Sequence, residues 1–330
     1  MDLRTTYLGF TLPHPIVAGA SPLGDDLDNV RRLEDAGAAA LVLRSLFEEQ
    51  ITNEQMADHF NLDAHAESSG EASSYFPGAD AFALGTEQYL EHLSRVKRAL
   101  RIPVIASLNG STPGGWLEYA ALMEQAGADA IELNLYRIPT DPEATSSDIE
   151  RQMIETVKYV KSGVSIPVAV KLSPFFTALA HTAQEFDRAG ADGLVLFNRF
   201  YQPEIDPELL ILSRALHLSD SSELPLRLHW TAILSGRVQA SLAVTGGVHT
   251  ALDVIRATMA GAHVTQMVSA LLKHGPSHIQ SVIADLVSWM QKQAWTSLST
   301  MRGNMNLLKV PDPEAYERAN YMLMLQGWRG

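Results

Sequence analysis

One short word recurs four times along the chain and limits what it can fold into. It is Ala-Gly-Ala, at residues 36–38, 126–128, 189–191 and 260–262. Each copy closes a stretch of helical character, where glycine takes the left-handed conformation that ends a helix without a Cβ clash. A short apolar run follows each time: Leu41-Val42-Leu43, Ile131-Glu132-Leu133, Leu194-Val195-Leu196 and Val264-Thr265-Gln266-Met267. Such runs mark strands covered on both faces. Between them lie three runs that begin at proline, namely Pro15-Ile16-Val17-Ala18, Pro103-Val104-Ile105-Ala106 and Pro167-Val168-Ala169-Val170. Proline at the first position of a strand loses no ladder hydrogen bond. Leu242-Ala243-Val244-Thr245 brings the total to eight strands, each followed by helical sequence. The pattern predicts an α/β chain folded as a (β/α)8 TIM barrel. An open doubly wound sheet alternates in the same way, but the length and the number of units favour the barrel.

Two segments exceed a minimal barrel. A polar stretch of about 47–85 follows the second strand, with Glu67-Ser68-Ser69-Gly70-Glu71-Ala72-Ser73-Ser74 at its centre. Leaving the carboxyl end of a strand, it reads as a lid or substrate wall. The second is a C-terminal extension, 295–330, whose Pro311-Asp312-Pro313-Glu314 turn leads to an apolar helix around Tyr321-Met322-Leu323-Met324-Leu325. Residues 1–294 then form the barrel.

Bulk properties remove several classes of function. With 25 basic against 38 acidic side chains the net charge is −13, which argues against nucleic-acid or anionic-membrane partners. The absence of cysteine excludes disulfides, thiolate–metal sites, iron–sulfur ligation and cysteine nucleophiles. No apolar run approaches the roughly 20 residues that span a bilayer. The first residues carry no signal-peptide pattern, so the expectation is a cytoplasmic protein acting on a small molecule.

Barrel enzymes build their sites at the carboxyl ends of the strands. The polar residues there are Ala20-Ser21, Arg44-Ser45, Ser107 with Asn109, Asn134, Lys171 with Ser173, Asn198, Thr245-Gly246-Gly247 and Ser269. The set holds two cations, amides and hydroxyls, and Glu132 as its one carboxylate. That suits a polar, planar, anionic ligand and suits a metal poorly. The His274–His278 pair brackets Gly275-Pro276 and reads as a capping or surface pair, so no metal site is expected. Thr245-Gly246-Gly247-Val248-His249-Thr250 is the sharpest local pattern: a strand, a glycine turn, then a helix cap. Backbone amides in such a turn hold phosphate, and Ser269 after strand eight would complete the cradle. Lys171 ends an apolar strand, where a lysine either meets an anion or reaches out of the barrel mouth.

These residues resemble the FMN-dependent dihydroorotate dehydrogenases, above all the soluble class and its dehydrogenase-like relatives. The resemblance runs from about Tyr7 to Leu286. It rests on Ala18-Gly19-Ala20-Ser21, Glu132-Leu133-Asn134-Leu135, Val170-Lys171-Leu172-Ser173-Pro174-Phe175-Phe176, Asn198, Thr245-Gly246-Gly247 and Ala270-Leu271-Leu272. It implies a flavin mononucleotide across the barrel mouth. Lys171 would then sit near the N1/O2 edge, with Arg44 in the place of a family lysine. Ala20, Ser21 and Asn109 would line the ring, and Gly246, Gly247 and Ser269 would hold the phosphate. Asn134, Asn198 and Arg44 would grip a pyrimidine substrate.

The chain also departs from that family. The loop after strand four carries a catalytic cysteine or serine in the family, and here reads Asn134-Leu135-Tyr136-Arg137-Ile138-Pro139-Thr140-Asp141 with neither. A substrate asparagine expected beside the proline is Thr140, and Val268 replaces a phosphate-loop glycine before Ser269. Tyr136, Thr140 and Asp141 become the candidates for the acid/base group; the tyrosine would need a nearby cation to lower its pKa, and Arg137 is adjacent. The implied function is oxidation of dihydroorotate or a related dihydropyrimidine. Without cysteine, any iron–sulfur relay would lie on a separate electron-acceptor protein, with soluble fumarate or a quinone as other acceptors. Family barrels pair as homodimers, which the apolar tail would suit. Two other readings stay open. One is a flavin-free barrel isomerase or aldolase using Lys171 and the phosphate cradle. The other is a non-catalytic or altered-specificity flavin-binding paralogue.

Overall fold

The computed structural model of the chain describes residues 1–47, 85–109, 113–200, 202–213, 216–317 and 319–327. Eight parallel strands close into a barrel. They are β1 (Ile16–Ala18), β2 (Leu41–Phe47), β3 (Val104–Asn109), β4 (Ala130–Asn134), β5 (Val168–Leu172), β6 (Gly193–Leu196), β7 (Ser241–Thr245) and β8 (Val264–Met267). β8 pairs back onto β1 with Gln266 opposite Val17, so the barrel has no open edge. The helices α1 (Leu27–Asp35), α2 (Thr86–Ala99), α3 (Pro113–Gln125), α4 (Ser146–Gly163), α5 (Leu179–Arg188), α6 (Leu224–Leu234) and α7 (Ala251–Ala260) follow β1 to β7 in turn. After β8 come the short α8 (Ser269–His274) and then α9 (His278–Lys292). Seven strands lie where the repeats and prolines put them, and β7 lies at the added run Leu242–Thr245. The segment read as a lid, about 47–85, falls almost wholly outside the described residues.

The repeat has a chemical basis at the end of the barrel where strands begin. Gly37, Gly127, Gly190 and Gly261 all have positive φ, as a helix-ending glycine should. Three residues before the glycine, an acid accepts amide N–H groups from the segment leading to another strand. Glu34 accepts from Arg101 and Ile102, Glu124 from Ser165, and Asp187 from Gln239 and Ala240. Two residues after the glycine, Asp129 accepts the Val104 N–H and Asp192 the Val168 N–H. Lys97 and Lys161 pair with those two aspartates at 2.6 and 2.7 Å. In the fourth copy His263 occupies the same place, its Nδ1 accepting the Leu242 N–H at 3.0 Å. These side chains satisfy strand-end amides that the ladder leaves over.

Inside the barrel each strand gives one residue to an apolar layer: Val17, Val42, Ile105, Ala130, Ala169, Val195, Ala243 and Val264. A hairpin ahead of β1, Thr5–Tyr7 paired with Phe10–Leu12, drives Tyr7, Leu8 and Leu12 into that layer as a plug. Gly193 makes room for it, since a Cβ there would stand 2.7 Å from Leu8 Cδ2. Side chains on a strand alternate, so the next inward level lies two residues on. That level holds Ser107, Glu132, Lys171, Thr245 and Gln266, all buried. The interior is therefore apolar at the plugged end and polar at the other, and the polar end is where a ligand can be read.

Two appendages expose apolar surface. A hairpin after β6, Glu204–Asp206 paired with Ile211–Ser213, leaves Ile205, Leu209, Leu210, Ile211 and Leu212 in solvent. Beyond α9, helix α10 (Leu298–Met301) buries Leu298 and Met301, and the Leu307 N–H donates to Ala232 O. The last helix, α11 (Ala319–Gln326), exposes Tyr321 through Leu325. Among the described residues no helix is long and apolar enough to cross a membrane, and no cluster of three or more His, Asp or Glu side chains could hold a metal.

Candidate functional site

At the carboxyl ends of the strands a cavity of about 190 Å³ runs from β7 and β8 across to β5 and β6. Its walls include Ala20, Ser21, Lys171, Asn198, Gly246, Gly247 and Ser269, residues far apart in sequence that the topology brings together.

One end is built of hydroxyls and a glycine turn. Gly246 and Gly247 follow β7 with φ of +88° and +77°, a region open to glycine at little cost. Space as well as conformation demands Gly247, because a Cβ there would lie 2.6 Å from the Leu224 amide nitrogen. Arg227, buried on α6, braces the turn from behind by donating Nε to Thr245 O at 3.1 Å and Nη1 to Glu223 O at 2.7 Å. Ser219 faces Ser269: its N–H and its hydroxyl donate to Ser269 Oγ at 3.1 and 2.8 Å, and the Gly247 N–H reaches Ser219 Oγ at 3.4 Å. Lys273 donates to Ser219 O at 3.1 Å, and Thr250 closes a capping box with Asp253 at the start of α7. Amides, hydroxyls and a nearby ammonium are the donors that an anionic group needs.

The other end is ionic. Lys171 Nζ lies 3.1 Å from Glu132 Oε1, and Gln266 Nε2 donates to Glu132 Oε2 at 2.6 Å. Glu132 is 0 % exposed and Lys171 8 %, so this is a buried ion pair one level below the mouth. Asn134, in register with Lys171 at the end of β4, does not line the cavity, and its Oδ1 is buried without a hydrogen-bond partner. Asn198 Oδ1 accepts from the Arg199 N–H at 3.0 Å, and Arg199 pairs with Glu223 at 3.5 Å.

Other expected residues stand outside this cavity. β2 carries a bulge between Val42 and Ser45. It brings Ser45 into register with Ser107, whose hydroxyls share a hydrogen bond of 2.7 Å. Arg44 instead pairs with Asp25 Oδ2 at 3.0 Å in a separate small cleft with Tyr89 and His92. Burial raises the Asp25 carboxyl, an effect the Arg44 charge opposes. Asn109 ends β3 beside Phe47, outside the cavity walls. Tyr136 lines a third space, about 540 Å³, with Ile138, Pro139, Phe175, Phe176 and Phe200. Its ring lies 6.3 Å from that of Phe200, which meets Phe175 edge-on at 5.0 Å. Burial raises the Tyr136 phenol rather than lowering it. Arg137, expected to help it ionise, donates to Gln152 Oε1 at 2.9 Å. Thr140 and Asp141 are exposed on the same loop.

Sequence reasoning missed Ser219, Arg227, Gln266 and Asp25. Gln266 was within reach, since it sits at the inward level of β8 by simple alternation. Ser219 and Asp25 lie in irregular loops, where no period marks which side chain turns inward.

The family model described as dihydroorotate dehydrogenase matches residues 80–290. Dihydroorotate dehydrogenase B (NAD(+)), catalytic subunit, of Methanothermobacter thermautotrophicus is 25 % identical over 91 % of this chain and 97 % of its own. The protein of the same name from Thermoplasma acidophilum is 26 % identical over 92 % of this chain and 98 % of its own. NAD-dependent dihydropyrimidine dehydrogenase subunit PreA of Escherichia coli is 25 % identical over 94 % of this chain and 78 % of its own. With the barrel, the glycine turn and the strand-end lysine in place, the chain belongs to the dihydroorotate dehydrogenase family, a family of oxidoreductases.

Proposed function

We propose that the protein is an FMN-dependent oxidoreductase that oxidises the CH–CH bond of dihydroorotate or a related dihydropyrimidine. The observation that carries this reading is one cavity with an anion cradle at Gly246, Gly247, Ser219 and Ser269 and a cation, Lys171, at its far end. The cavity fits the shape of the cofactor's needs: donors for a phosphate at one end, a cation and amides for a planar heterocycle at the other. Beside Lys171 on the next strand, the orphaned Asn134 Oδ1 is a buried acceptor behind the cavity wall, which a ring N–H would satisfy if the ligand reached past Lys171. When bound, the flavin supplies the two-electron acceptor for the C–H bond that breaks.

The chain's own residues do the rest. Gly246, Gly247 and Ser269 bind the phosphate. Lys171 offers its ammonium to a carbonyl or anionic edge of the ring. Asn134 and Asn198 orient the substrate by its amide groups, while Arg44, neutralised by Asp25 in its own cleft, reaches the substrate only by leaving that pair. The proton that leaves the substrate passes to solvent by way of the loop after β4. With its pKa raised, Tyr136 serves there as a hydrogen-bond donor more readily than as a base, and the exposed Thr140 hydroxyl hands the proton on to water. Tyr136→Phe and Thr140→Ala should each slow anaerobic flavin reduction at least tenfold by rapid mixing, on the order of what one acid/base group contributes. Wild-type rates in both variants would remove this loop from the chemistry.

A specific observation favours altered specificity within the same class. Tyr136, Phe175 and Phe200 each stand two residues beyond Asn134, Ser173 and Asn198, at the ends of three successive strands, and wall an apolar space. That space shares no lining residue with the cavity, so only a substrate whose apolar substituent is long enough to extend past Asn198 and Ser173 would use it, where dihydroorotate alone would not.

The proposal extends to assembly. Electrons pass on to a separate acceptor, since the chain has no cysteine to ligate an iron–sulfur cluster. The exposed aliphatic hairpin Glu204–Ser213 and helix α11 support a homodimer, which light scattering on the purified protein would detect.

A further inference from the structure

The carboxylate beneath Lys171 has no part in the chemistry above, and packing does not account for it. Glu132 makes no contact with solvent; its two oxygens are taken by Lys171 Nζ at 3.1 Å and Gln266 Nε2 at 2.6 Å. Burying a charge costs several kcal/mol, and an apolar pair of the same volume often serves stability as well or better. The level beneath is already filled by an apolar layer, with Ala130 and Ala169 two residues before Glu132 and Lys171. What the carboxylate changes is charge. With it, the pair presents no net charge to the cavity; without it, a full positive charge would face the ligand at close range and low dielectric.

We propose that Glu132 is a positioning residue, the counter-ion that aims the Lys171 ammonium at the cavity and sets how strongly the site favours the reduced, more negative form of a bound flavin. Gln266 holds the carboxylate in the orientation that leaves Oε1 toward Lys171. The inference rests on the flavin reading above and adds to it that the pair, and not the lysine alone, fixes the reduction potential.

The test is the midpoint potential of the flavin bound to the full-length holoprotein, titrated against a reference dye under argon, with bound-flavin content measured in parallel. Four forms are compared: wild type, Glu132→Gln, Lys171→Gln and the double variant. The net charge of the pair is then 0, +1, −1 and 0. Glu132→Gln should raise the potential by on the order of 30 mV, a tenfold change in the equilibrium for a two-electron couple. Lys171→Gln should lower it, and the double variant should return close to wild type. Should Glu132→Gln fail to fold, the double variant still decides, because it carries no unpaired buried charge. A double variant that matches Lys171→Gln, or a Glu132→Gln potential equal to or below wild type, overturns the inference while leaving the flavin reading intact. A wild-type protein that takes up no flavin overturns both.

Discussion

His263 stands where two other repeats place an aspartate, and that exchange makes one residue a source of pH dependence. Its Nδ1 must stay unprotonated to accept the Leu242 N–H, and burial, with the charge of Arg302 nearby, lowers its pKa to about 4. The unfolded chain takes up that proton near pH 6.5 and the folded one only near 4. The stability it contributes is therefore present above pH 6.5 and is lost as pH falls toward 4, up to about 3 kcal/mol on the basis of 1.36 kcal/mol per unit. Urea denaturation at pH 7.5 and pH 5 should show about 2 kcal/mol of that loss, and His263→Asn should flatten it. Lys171 gives a second residue-scale prediction. Lys171→Met leaves Glu132 charged, buried and unpaired, so it should cost about 3–5 kcal/mol by the same denaturation measurement. Lys171 was legible in the sequence because a lysine ending an apolar strand has few other uses. Glu132 was legible as the one carboxylate of the strand-end set, but its pairing with Lys171 and Gln266 needs the barrel closed, which no local pattern encodes. Arg44 was placed at the mouth by its strand-end position and by the family resemblance; the bulge in β2 pairs it with Asp25, a partner no local pattern encodes.

Among the elements, the strands were readable and the loops were not. Apolar runs bounded by proline or by glycine-capped helices leave a strand little choice, so all eight were found. The hairpins Thr5–Leu12 and Glu204–Ser213 went unread because each strand in them is three residues long, too short for a period to show. The glycine turn after β7 was read correctly as a turn, yet its rigidity comes from α6. Gly247→Ala puts a methyl 2.6 Å from the Leu224 nitrogen at a φ of +77°, so the turn must move. The expected result is a loss of flavin affinity of tenfold or more with a smaller change in melting temperature. Unchanged affinity would show that the turn does not hold the phosphate. Ser219→Ala should weaken binding less, since it removes one hydroxyl and leaves the turn in place.

For the whole molecule, the division of the barrel into a plugged apolar end and an open polar end is the main structural result. It explains why one chain can bury an ion pair at its centre: the apolar half supplies the stability, and the polar half is left to bind. Closure also gathers Ala20, Lys171, Asn198, Gly246 and Ser269 around one cavity, although they come from five different strand ends. The central claim is that this cavity holds FMN reduced by a dihydropyrimidine. The most direct measurement is the visible spectrum of the purified protein under argon as L-dihydroorotate is added, followed by the same titration with an apolar-substituted dihydrouracil such as 5-benzyl-5,6-dihydrouracil. The account predicts an oxidised-flavin band that bleaches with at least one of the two, and bleaching by the substituted compound alone would assign the aromatic space beside Tyr136 to substrate. A colourless protein that takes up no added FMN, or a flavin band that neither compound changes, would contradict it.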